Sequence, residues 1–461
     1  MTNVPVDTLS ASLPEPRVHD RGLPLIGVLP RMLADAPRYL SGLAHRNHGQ
    51  VVTVQLGPYP LHLVSHPDHV QHVLAGNARN YNKEGGLWQP LRKLFGDGLA
   101  TADGEVWRHS RRRLQPVFTA RHIASLVDLM VEGVARGVRR FDAAARSGAP
   151  LDVSAEMTML AQEILLHTML GVTVGPAELD ALGGAVLAAF QRLNRRLFLY
   201  FLPPWMPLPG ERALQRAIAS IDEAIYGFIR ARRATGGDRE DLLSLLLSAR
   251  DSETGAALTD AQIRDELVTL FITGSETIAA TMTWAWYAIE QHPEVERRLR
   301  DEIDAVLGAR APTFADLARM PYCRMVLQET SRLYPTAWFI PRMAMDDDEI
   351  DGCPIRARSI VVCSPYVTQR DPAIWEDPLR FDPDRFHPER AARRHKYAHY
   401  PFGGGARQCI GQHFAMTEVQ LVLIMLCQQY RLRRVEGPAL APKAIPSLWP
   451  SRALRMTVTP A

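Results

Sequence analysis

The sequence predicts a mainly α-helical fold with small β-sheets, on the strength of three observations. Helical periodicity dominates residues 67–307. Short runs rich in β-branched and apolar residues occur at 51–55, 61–65 and 359–363. The segment 260–291 carries an unbroken helical pattern whose centre is apolar on nearly all sides, which is typical of a buried helix.

The N-terminal elements are predicted to be a tail and a hairpin. Residues 1–20 are polar and contain prolines, so we expect a disordered tail with no signal peptide or N-terminal anchor. The two short apolar runs that follow lie on either side of Gly57 and Pro58 and therefore predict a β-hairpin.

One long helix is predicted through the middle of the chain. Thr259 and Gln262 have the spacing of a capping box, and His292 and Pro293 mark the end of the helix. A membrane span is the rival interpretation of so apolar a helix. Glu276 stands at its centre, however, and a central acid is costly in lipid. We therefore expect a buried helix and no membrane span.

The C-terminal part of the chain is predicted to alternate strand, loop and helix. A strand is expected at 359–363, and an irregular loop packed on the surface is expected at 371–394, which is rich in Pro, Asp and Arg. A helix should run from Gly411 to about residue 430, and a further short strand should lie at 454–458.

Composition limits the class of protein. The 461 residues carry a net charge of +3, unlike the strongly basic balance of a nucleic-acid-binding protein. The five cysteines are odd in number and widely spread, which argues against a disulfide framework and fits a cytoplasmic location. Length alone would favour about three domains. No linker divides the chain, so we expect one domain over residues 21–461.

The segment 402–411, called the cysteine loop below, reads Phe-Gly-Gly-Gly-Ala-Arg-Gln-Cys-Ile-Gly. Its glycines allow tight turns and let backbone N–H groups approach the sulfur of Cys409. A helix beginning just after Cys409 would place its positive end near the same thiol. Both effects favour the thiolate, which is the form that binds a metal. The remaining cysteines lack such a context and are expected to be inert: Cys323, Cys353, Cys363 and Cys427.

The cysteine loop resembles the haem-binding loop of the cytochrome P-450 family, Phe-x-x-Gly-x-Arg-x-Cys-x-Gly. The matching residues are Phe402, Gly405, Arg407, Cys409 and Gly411. Together with the motifs described next, the resemblance covers residues 22–458. It implies the family's triangular-prism fold, with haem b between the long central helix and the cysteine-loop helix. It also implies that Cys409 is the axial ligand of the haem iron.

A second motif supports the same family. Glu329 and Arg332 lie three residues apart in a helical stretch and share one face of that helix. An exposed ion pair is the ordinary interpretation of this spacing. The resemblance instead implies a buried triad of Glu329, Arg332 and Arg385 that holds the surroundings of the cysteine loop.

A third motif concerns the haem propionates. Trp107 and Arg111 are four residues apart on a predicted helix and match the family's Trp-x-x-x-Arg. The resemblance implies that both residues, with Arg342 and Arg407, contact these anionic groups. The neighbouring arginines are expected to face solvent: Arg108, Arg112 and Arg113.

The centre of the long helix resembles the family's oxygen-activating motif. By this resemblance Gly274 leaves room beside the haem, Thr277 offers a hydroxyl, and Glu276 relays protons. Thr273 and Ile278 depart from the family pattern, which leaves the pocket shape and the proton path open. The alternative for Thr277 is a hydroxyl that bonds back to its own helix.

The family's layout also implies a substrate pocket. Its expected residues are Trp88, Phe95, Phe198, Phe201, Thr273, Trp338, Phe339 and Leu448. Because this set is apolar and aromatic, we expect a hydrophobic substrate, with a neutral terpenoid or polyketide favoured over a fatty acid. Arg192, Arg195 and Arg196 could anchor a carboxylate at the entrance, but we expect them to be solvated.

The resemblance as a whole implies a monooxygenase of the soluble bacterial type that inserts one oxygen atom from O₂. No flavin or iron–sulfur segment follows the haem region, so electrons are expected from a separate ferredoxin and an NAD(P)H-dependent ferredoxin reductase. Two alternatives keep the haem: a peroxide-using or hydroperoxide-rearranging enzyme, and a fatty-acid hydroxylase. A haem sensor without turnover is a further alternative from a different class.

Overall fold

A computed structural model gives the fold, which is mainly helical with small sheets, as the sequence predicts. It describes residues 18–85, 87–199, 202, 206, 208–235, 241–250, 255–444 and 446–461, apart from the side chains of residues 176, 194, 195 and 198.

The helices of the described residues follow one another through most of the chain. In chain order they are α1 (Leu29–Arg46), α2 (Pro67–Gln71), α3 (Gln89–Phe95), α4 (Gly104–Leu114), α5 (Ala120–Ser147), α6 (Val153–Leu170), α7 (Pro176–Phe198), α8 (Glu211–Thr235), α9 (Leu242–Ser248), α10 (Asp260–Glu290), α11 (Pro293–Leu307), α12 (Phe314–Leu317), α13 (Pro321–Leu333), α14 (Pro365–Thr368), α15 (Pro388–Ala391) and α16 (Gln412–Gln429).

The strands are short and lie mainly at the two ends of the chain. They are β1 (Val18–Asp20), β2 (Val52–Leu56), β3 (Tyr59–Val64), β4 (Tyr81–Asn82), β5 (Leu151–Asp152), β6 (Ile340–Ala344), β7 (Asp348–Ile350), β8 (Cys353–Ile355), β9 (Ile360–Cys363), β10 (Tyr430–Arg434), β11 (Pro442–Ala444), β12 (Leu448–Pro450) and β13 (Arg455–Pro460).

The largest sheet joins the N-terminal hairpin to the strands before the cysteine loop. Its order is β1-β2-β3-β9-β6-β4. The predicted hairpin is the antiparallel pair β2–β3, and β3 runs parallel to β9. The smaller sheets are β10-β13-β5 and the two-stranded pairs β11-β12 and β7-β8.

The predicted disordered tail is wrong at its last three residues. Residues 18–20 form β1, which pairs with β2. The Thr53 backbone N–H donates to His19 Nδ1 at 3.1 Å, and the Tyr39 hydroxyl donates to Asp20 at 2.8 Å. These contacts come from residues far along the chain, so local polarity did not reveal them. Residues 1–17 lie outside the described part.

The long central helix has the predicted bounds and cap. The Gln262 N–H donates to the Thr259 hydroxyl, and the Thr259 N–H donates back to the Gln262 side chain at 2.9 Å. Helix α10 packs against α6, α8, α13 and α16, and its Trp284 stacks on Tyr334 with ring centroids 4.0 Å apart. Contacts on every side explain why its apolar residues encircle the axis.

The segment 371–394 is irregular, as predicted, but its position on the surface is only partly right. Trp375, Phe381 and Phe386 are buried. The guanidinium of Arg394 lies over the Trp375 ring at 4.0 Å, and that of Arg332 lies 4.9 Å from the same ring. The loop therefore contributes side chains to the interior beside α13.

None of the described helices is both long enough and apolar enough to cross a bilayer. The cytoplasmic location expected from the cysteines stays a prediction.

Candidate active site

A cavity of about 400 Å³ lies between the centre of α10 and the cysteine loop. Apolar side chains from several helices form much of its wall, among them Phe118 and, on α6, Leu165 and Met169. Cys409 lines the cavity from the opposite side to Thr273 and Thr277 of α10. The fold thus brings together two motifs that are more than a hundred residues apart in the chain.

Glycine is required in the cysteine loop at Gly405. Its φ is +66°, and an added Cβ would lie 1.8 Å from the carbonyl oxygen of Leu74. Leu74 belongs to a π-helical segment, His72–Gly76, that packs on the loop. Only glycine tolerates both the left-handed backbone and this close approach. The Cys409 N–H then closes the loop by donating to Phe402 O at 2.9 Å.

The sulfur of Cys409 is open to the cavity although it lies deep in the protein. The Gly411 N–H and the Arg111 guanidinium lower the pKa of the thiol, but burial raises it by more. Gly411 is the N-cap residue of α16, so the helix end lies where the sequence predicts. The donors expected from the loop are present, yet the protein alone does not turn this thiol into a strong acid.

Cations crowd one edge of the cavity. Lys83, Arg342 and Arg407 all line it. Burial lowers the pKa of Lys83 well below its usual value, and both arginines lower it further. Burial also lowers the pKa of Arg342 to about 10. Asp103 forms an ion pair with Arg407, so at this edge three cations face one acid.

Helix α4 adds the predicted tryptophan to this edge, and its predicted arginine lies beside the cysteine loop. Trp107 and Arg111 both line the cavity, and the Arg407 guanidinium lies 4.4 Å from the Trp107 ring centroid. Arg111 donates to Gln408 O at 2.9 Å and so contacts the cysteine loop. Lys83 was missed by sequence reasoning because no motif contains it.

The donor set fits haem. Haem carries two carboxylates, and a buried excess of cations is stabilised by such anions. A thiol sulfur that is open to the cavity offers the soft ligand that haem iron accepts. Trp107, Arg111, Arg342 and Arg407 were expected at this edge, and Lys83 is added to them.

The threonine of the oxygen-activating motif bonds back to its own helix. The Thr277 hydroxyl donates to Thr273 O at 2.7 Å, and the Thr273 hydroxyl donates to Thr269 O at 2.6 Å. This is the alternative that the sequence left open. The Thr277 oxygen keeps its acceptor capacity and lies on the cavity wall. Gly274 also lines the cavity, where an added Cβ would approach a Leu165 methyl group to 3.1 Å.

Glu276 is next to Thr277 in the chain but is not among the residues that line the cavity. Its carboxylate accepts hydrogen bonds from Trp449 Nε1 at 2.7 Å and from the Ser447 hydroxyl. Burial raises the pKa of Glu276, and these two hydrogen bonds lower it. Sequence reasoning missed Ser447, which lies far along the chain and belongs to no motif.

The predicted triad forms a buried network. Neither Glu329 nor Arg332 has an exposed side chain, and their two hydrogen bonds measure 2.6 and 2.7 Å. Arg385 lies 3.5 Å from the Glu329 carboxylate. Arg332 also donates to three backbone carbonyls, those of Gln369, Pro378 and Arg380. Burial raises the pKa of Glu329, against the opposite effect of Arg332.

The predicted substrate residues divide into two groups. Trp88, Thr273 and Phe339 line the cavity. Three other predicted residues are not part of the cavity wall and pack in the core instead: Phe95, Trp338 and Leu448. The ring of Phe95 lies 6.4 Å from that of Phe190. The side chain of Phe198 and the whole of Phe201 lie outside the described residues.

The expectation of a solvated cluster is wrong for Arg196. This residue is 6% exposed, forms an ion pair with Glu211 at 3.0 Å, and donates to Met206 O at 2.6 Å. Glu211 also binds Lys93 at 3.0 Å. The acid that neutralises Arg196 lies on the next helix, which the sequence pattern of α7 could not reveal. Arg195 has no described side chain.

The fold and the cavity together define a haem-thiolate protein, and the comparisons with known proteins agree. The family model "Cytochrome P450" matches residues 16–455. Cyclooctatin synthase of Streptomyces melanosporofaciens is 36% identical over 93% of this chain and 92% of its own. Pentalenene oxygenase of Streptomyces avermitilis is 29% identical over 95% of this chain and 96% of its own. The crystal structure of the cytochrome P450DA haem domain superposes with a TM-score of 0.86 at 27% identity, covering 97% of this chain and 98% of its own.

The chain belongs to the cytochrome P450 family. It is a haem-thiolate monooxygenase, and its cofactor is haem.

A first prediction concerns the buried ion pair. Arg332→Met should lower the free energy of unfolding by about 3–5 kcal/mol, because it leaves the Glu329 charge buried without its main partner. The measurement is chemical unfolding together with haem content. The control is Arg233→Met, since Arg233 forms an exposed ion pair with Asp260, whose loss should cost less than about 1 kcal/mol. An equal decrease in the free energy of unfolding of the two variants would show that the buried pair stabilises the fold no more than the exposed one.

Proposed function

We propose that the protein inserts one oxygen atom from O₂ into a neutral, apolar terpenoid. The observation that carries this proposal is the largely apolar lining of the cavity, to which α6 and α10 contribute. Two relatives have names that point to the same chemistry, pentalenene oxygenase and cyclooctat-9-en-7-ol 5-monooxygenase, the latter 33% identical over 95% of both chains. Apolar pockets take apolar ligands because burial removes ligand surface from water.

The distribution of cations supports a neutral substrate over a fatty acid. Among the described residues that line the cavity, the cations are Lys83, Arg111, Arg342 and Arg407. We assign all four to the haem propionates, together with the indole N–H of Trp107. Arg196 is not part of the cavity wall and already pairs with Glu211. A substrate carboxylate would therefore be buried without a partner, which is costly.

We assign the iron ligand to Cys409, which the cysteine loop presents to the cavity. Haem bound there supplies the redox chemistry that activates O₂. Phe402 and Gly411 shape the wall beside the sulfur, and Gly405 keeps the loop against its support. Gly274 keeps the opposite wall free of a side chain.

We further assign proton delivery to Thr277 and Glu276. The Thr277 hydroxyl lies on the cavity wall, where it can accept a hydrogen bond while donating to its own helix. Glu276 is a partly buried carboxyl group one residue away, with a raised pKa that allows it to hold a proton nearer neutral pH.

Electrons are proposed to come from a ferredoxin and its NAD(P)H-dependent reductase. Arg108 and Arg112 are exposed on α4, whose Trp107 and Arg111 face the cavity. An acidic electron carrier docking on this exposed side would be attracted by the arginines and would lie close to the haem edge.

The second prediction tests the iron ligand. Cys409→Ser should abolish the red-shifted Soret band of the ferrous carbonyl complex, because an alcohol does not replace the thiolate as an electron donor. Absorbance difference spectra measure the band. Cys353→Ser is the control, because Cys353 is not part of the cavity wall, and it should keep the band. A Cys409→Ser protein that retains the band would assign the ligand elsewhere.

The third prediction tests the threonine. Thr277→Ala should consume NADPH, with a surrogate ferredoxin and reductase, but should release several-fold more hydrogen peroxide per NADPH. Thr281→Ala is a matched control, because Thr281 donates to Thr277 O in the same way but does not line the cavity. If both variants lose coupling equally, the effect comes from the helix and not from a hydroxyl at the oxygen site.

The fourth prediction tests the substrate class. Titration with neutral cyclic terpenes and terpene alcohols should shift the Soret band towards high spin, whereas fatty acids and macrolides should not. A panel of these three classes, followed by product analysis, measures this. Arg196→Ala should leave terpene binding unchanged, because Arg196 pairs with Glu211 and does not line the cavity. Shifts produced by fatty acids alone, and weakened in Arg196→Ala, would overturn the neutral-substrate proposal.

A further inference from the structure

The carboxylate of Glu276 is held by the C-terminal hairpin of β11 and β12. Trp449 lies on β12 and donates from Nε1 to one carboxylate oxygen at 2.7 Å. The Ser447 hydroxyl, immediately before the strand, donates to the other oxygen. Ser447 is 7% exposed. Each oxygen of this partly buried acid therefore has one donor, and both donors come from a single short segment.

Ser447 directly precedes β12, and its hydroxyl and the Trp449 indole both reach Glu276 of α10. The side chain of Leu448, between them in the chain, packs in the core. The backbone of Leu448 is fixed at both ends, because its carbonyl accepts from Trp284 Nε1 at 2.9 Å and its N–H donates to Thr336 O at 3.0 Å. The two donors therefore flank a residue whose backbone is held by hydrogen bonds on both sides.

The same strand is bonded to the cavity wall. Thr336, which accepts the Leu448 N–H, lines the cavity, and Trp284 lies on α10 itself. The acid and Thr336 of the cavity wall are therefore connected through two hydrogen bonds and the intervening residues of the hairpin.

The two donors differ in chemistry. The indole N–H of Trp449 can only donate, so it favours the ionised carboxylate. The hydroxyl of Ser447 can donate to the carboxylate or accept from the protonated acid, so it serves both forms of Glu276. Trp449 therefore orients the Glu276 carboxylate, and the Ser447 hydroxyl can reverse its hydrogen bond when Glu276 gains or loses a proton.

We infer that Ser447 and Trp449 are positioning residues for proton delivery, and that they act by holding the Glu276 carboxylate in one orientation beside Thr277. This inference rests on the proposed role of Glu276. Neighbouring residues of a helix point about 100° apart. The backbone of α10 alone therefore does not fix where the Glu276 carboxylate lies relative to the Thr277 hydroxyl. The two donors of the hairpin fix it.

The test compares coupling in Ser447→Ala, Trp449→Phe and Glu276→Gln, with a surrogate ferredoxin and reductase and the best terpene of the panel. Each hairpin variant should release several-fold more peroxide per NADPH and change the solvent isotope effect on product formation. Haem content and the ferrous carbonyl band should stay normal. Ser447→Thr, which keeps the hydroxyl, should restore coupling, and Ser451→Ala, on the exposed end of the same hairpin, should have no effect.

Non-additivity is the deciding measurement. In the Glu276→Gln background, Ser447→Ala should add little further uncoupling, because the residue acts through the acid. Full additivity, or normal coupling in both hairpin variants while Glu276→Gln is uncoupled, would overturn this inference alone. Normal coupling in Glu276→Gln itself would instead overturn the proposed role of the acid. Should Trp449→Phe fail to fold, Ser447→Ala and its threonine rescue carry the test.

Discussion

The buried ion pair of Glu329 and Arg332 is the interaction on which the haem side of the structure depends. Arg332 donates to three backbone carbonyls, one at the end of α14 and two in the irregular segment that follows it. One of these belongs to Gln369, whose side chain donates back to the carbonyls of Ser331 and Arg332 and accepts from the Tyr400 N–H.

From Tyr400 the connection continues into the cysteine loop, because the Gly403 N–H donates to Tyr400 O at 2.9 Å. Removing Glu329 would leave the buried Arg332 with backbone carbonyls alone, and removing Arg332 would leave Glu329 with only the more distant Arg385, so either change should be costly. Glu276 is held instead by two neutral donors, Ser447 and Trp449, and burial raises its pKa.

The edge of the cavity that Lys83, Arg342 and Arg407 line has an excess of positive charge. Lys83, Arg342 and Arg407 are buried or partly buried near one acid, Asp103, at a cost that lowers the pKa of each of the three cations. Such an arrangement is unfavourable for the protein alone and favourable with a dianionic ligand. Stability and cofactor binding are therefore coupled through these side chains. Helix α10 provides the other wall, so packing of one long helix also fixes the distance between thiol and threonine motifs.

The sequence alone determined the family, the helical class, the ends of α10 and the residues of every motif, because these depend on spacing along one element. A capping box, a glycine loop before a helix and a Glu-x-x-Arg face are all local patterns. Tertiary structure decided which aromatic residues reach the cavity: Trp88 and Phe339 do, whereas Phe95, Trp338 and Leu448 pack in the core. It also decided that Lys83 joins the haem edge, that Arg196 is neutralised by Glu211, and that Ser447 holds Glu276. These contacts join residues from different elements, and the direction of a side chain across such a gap is set by packing, which no local pattern contains.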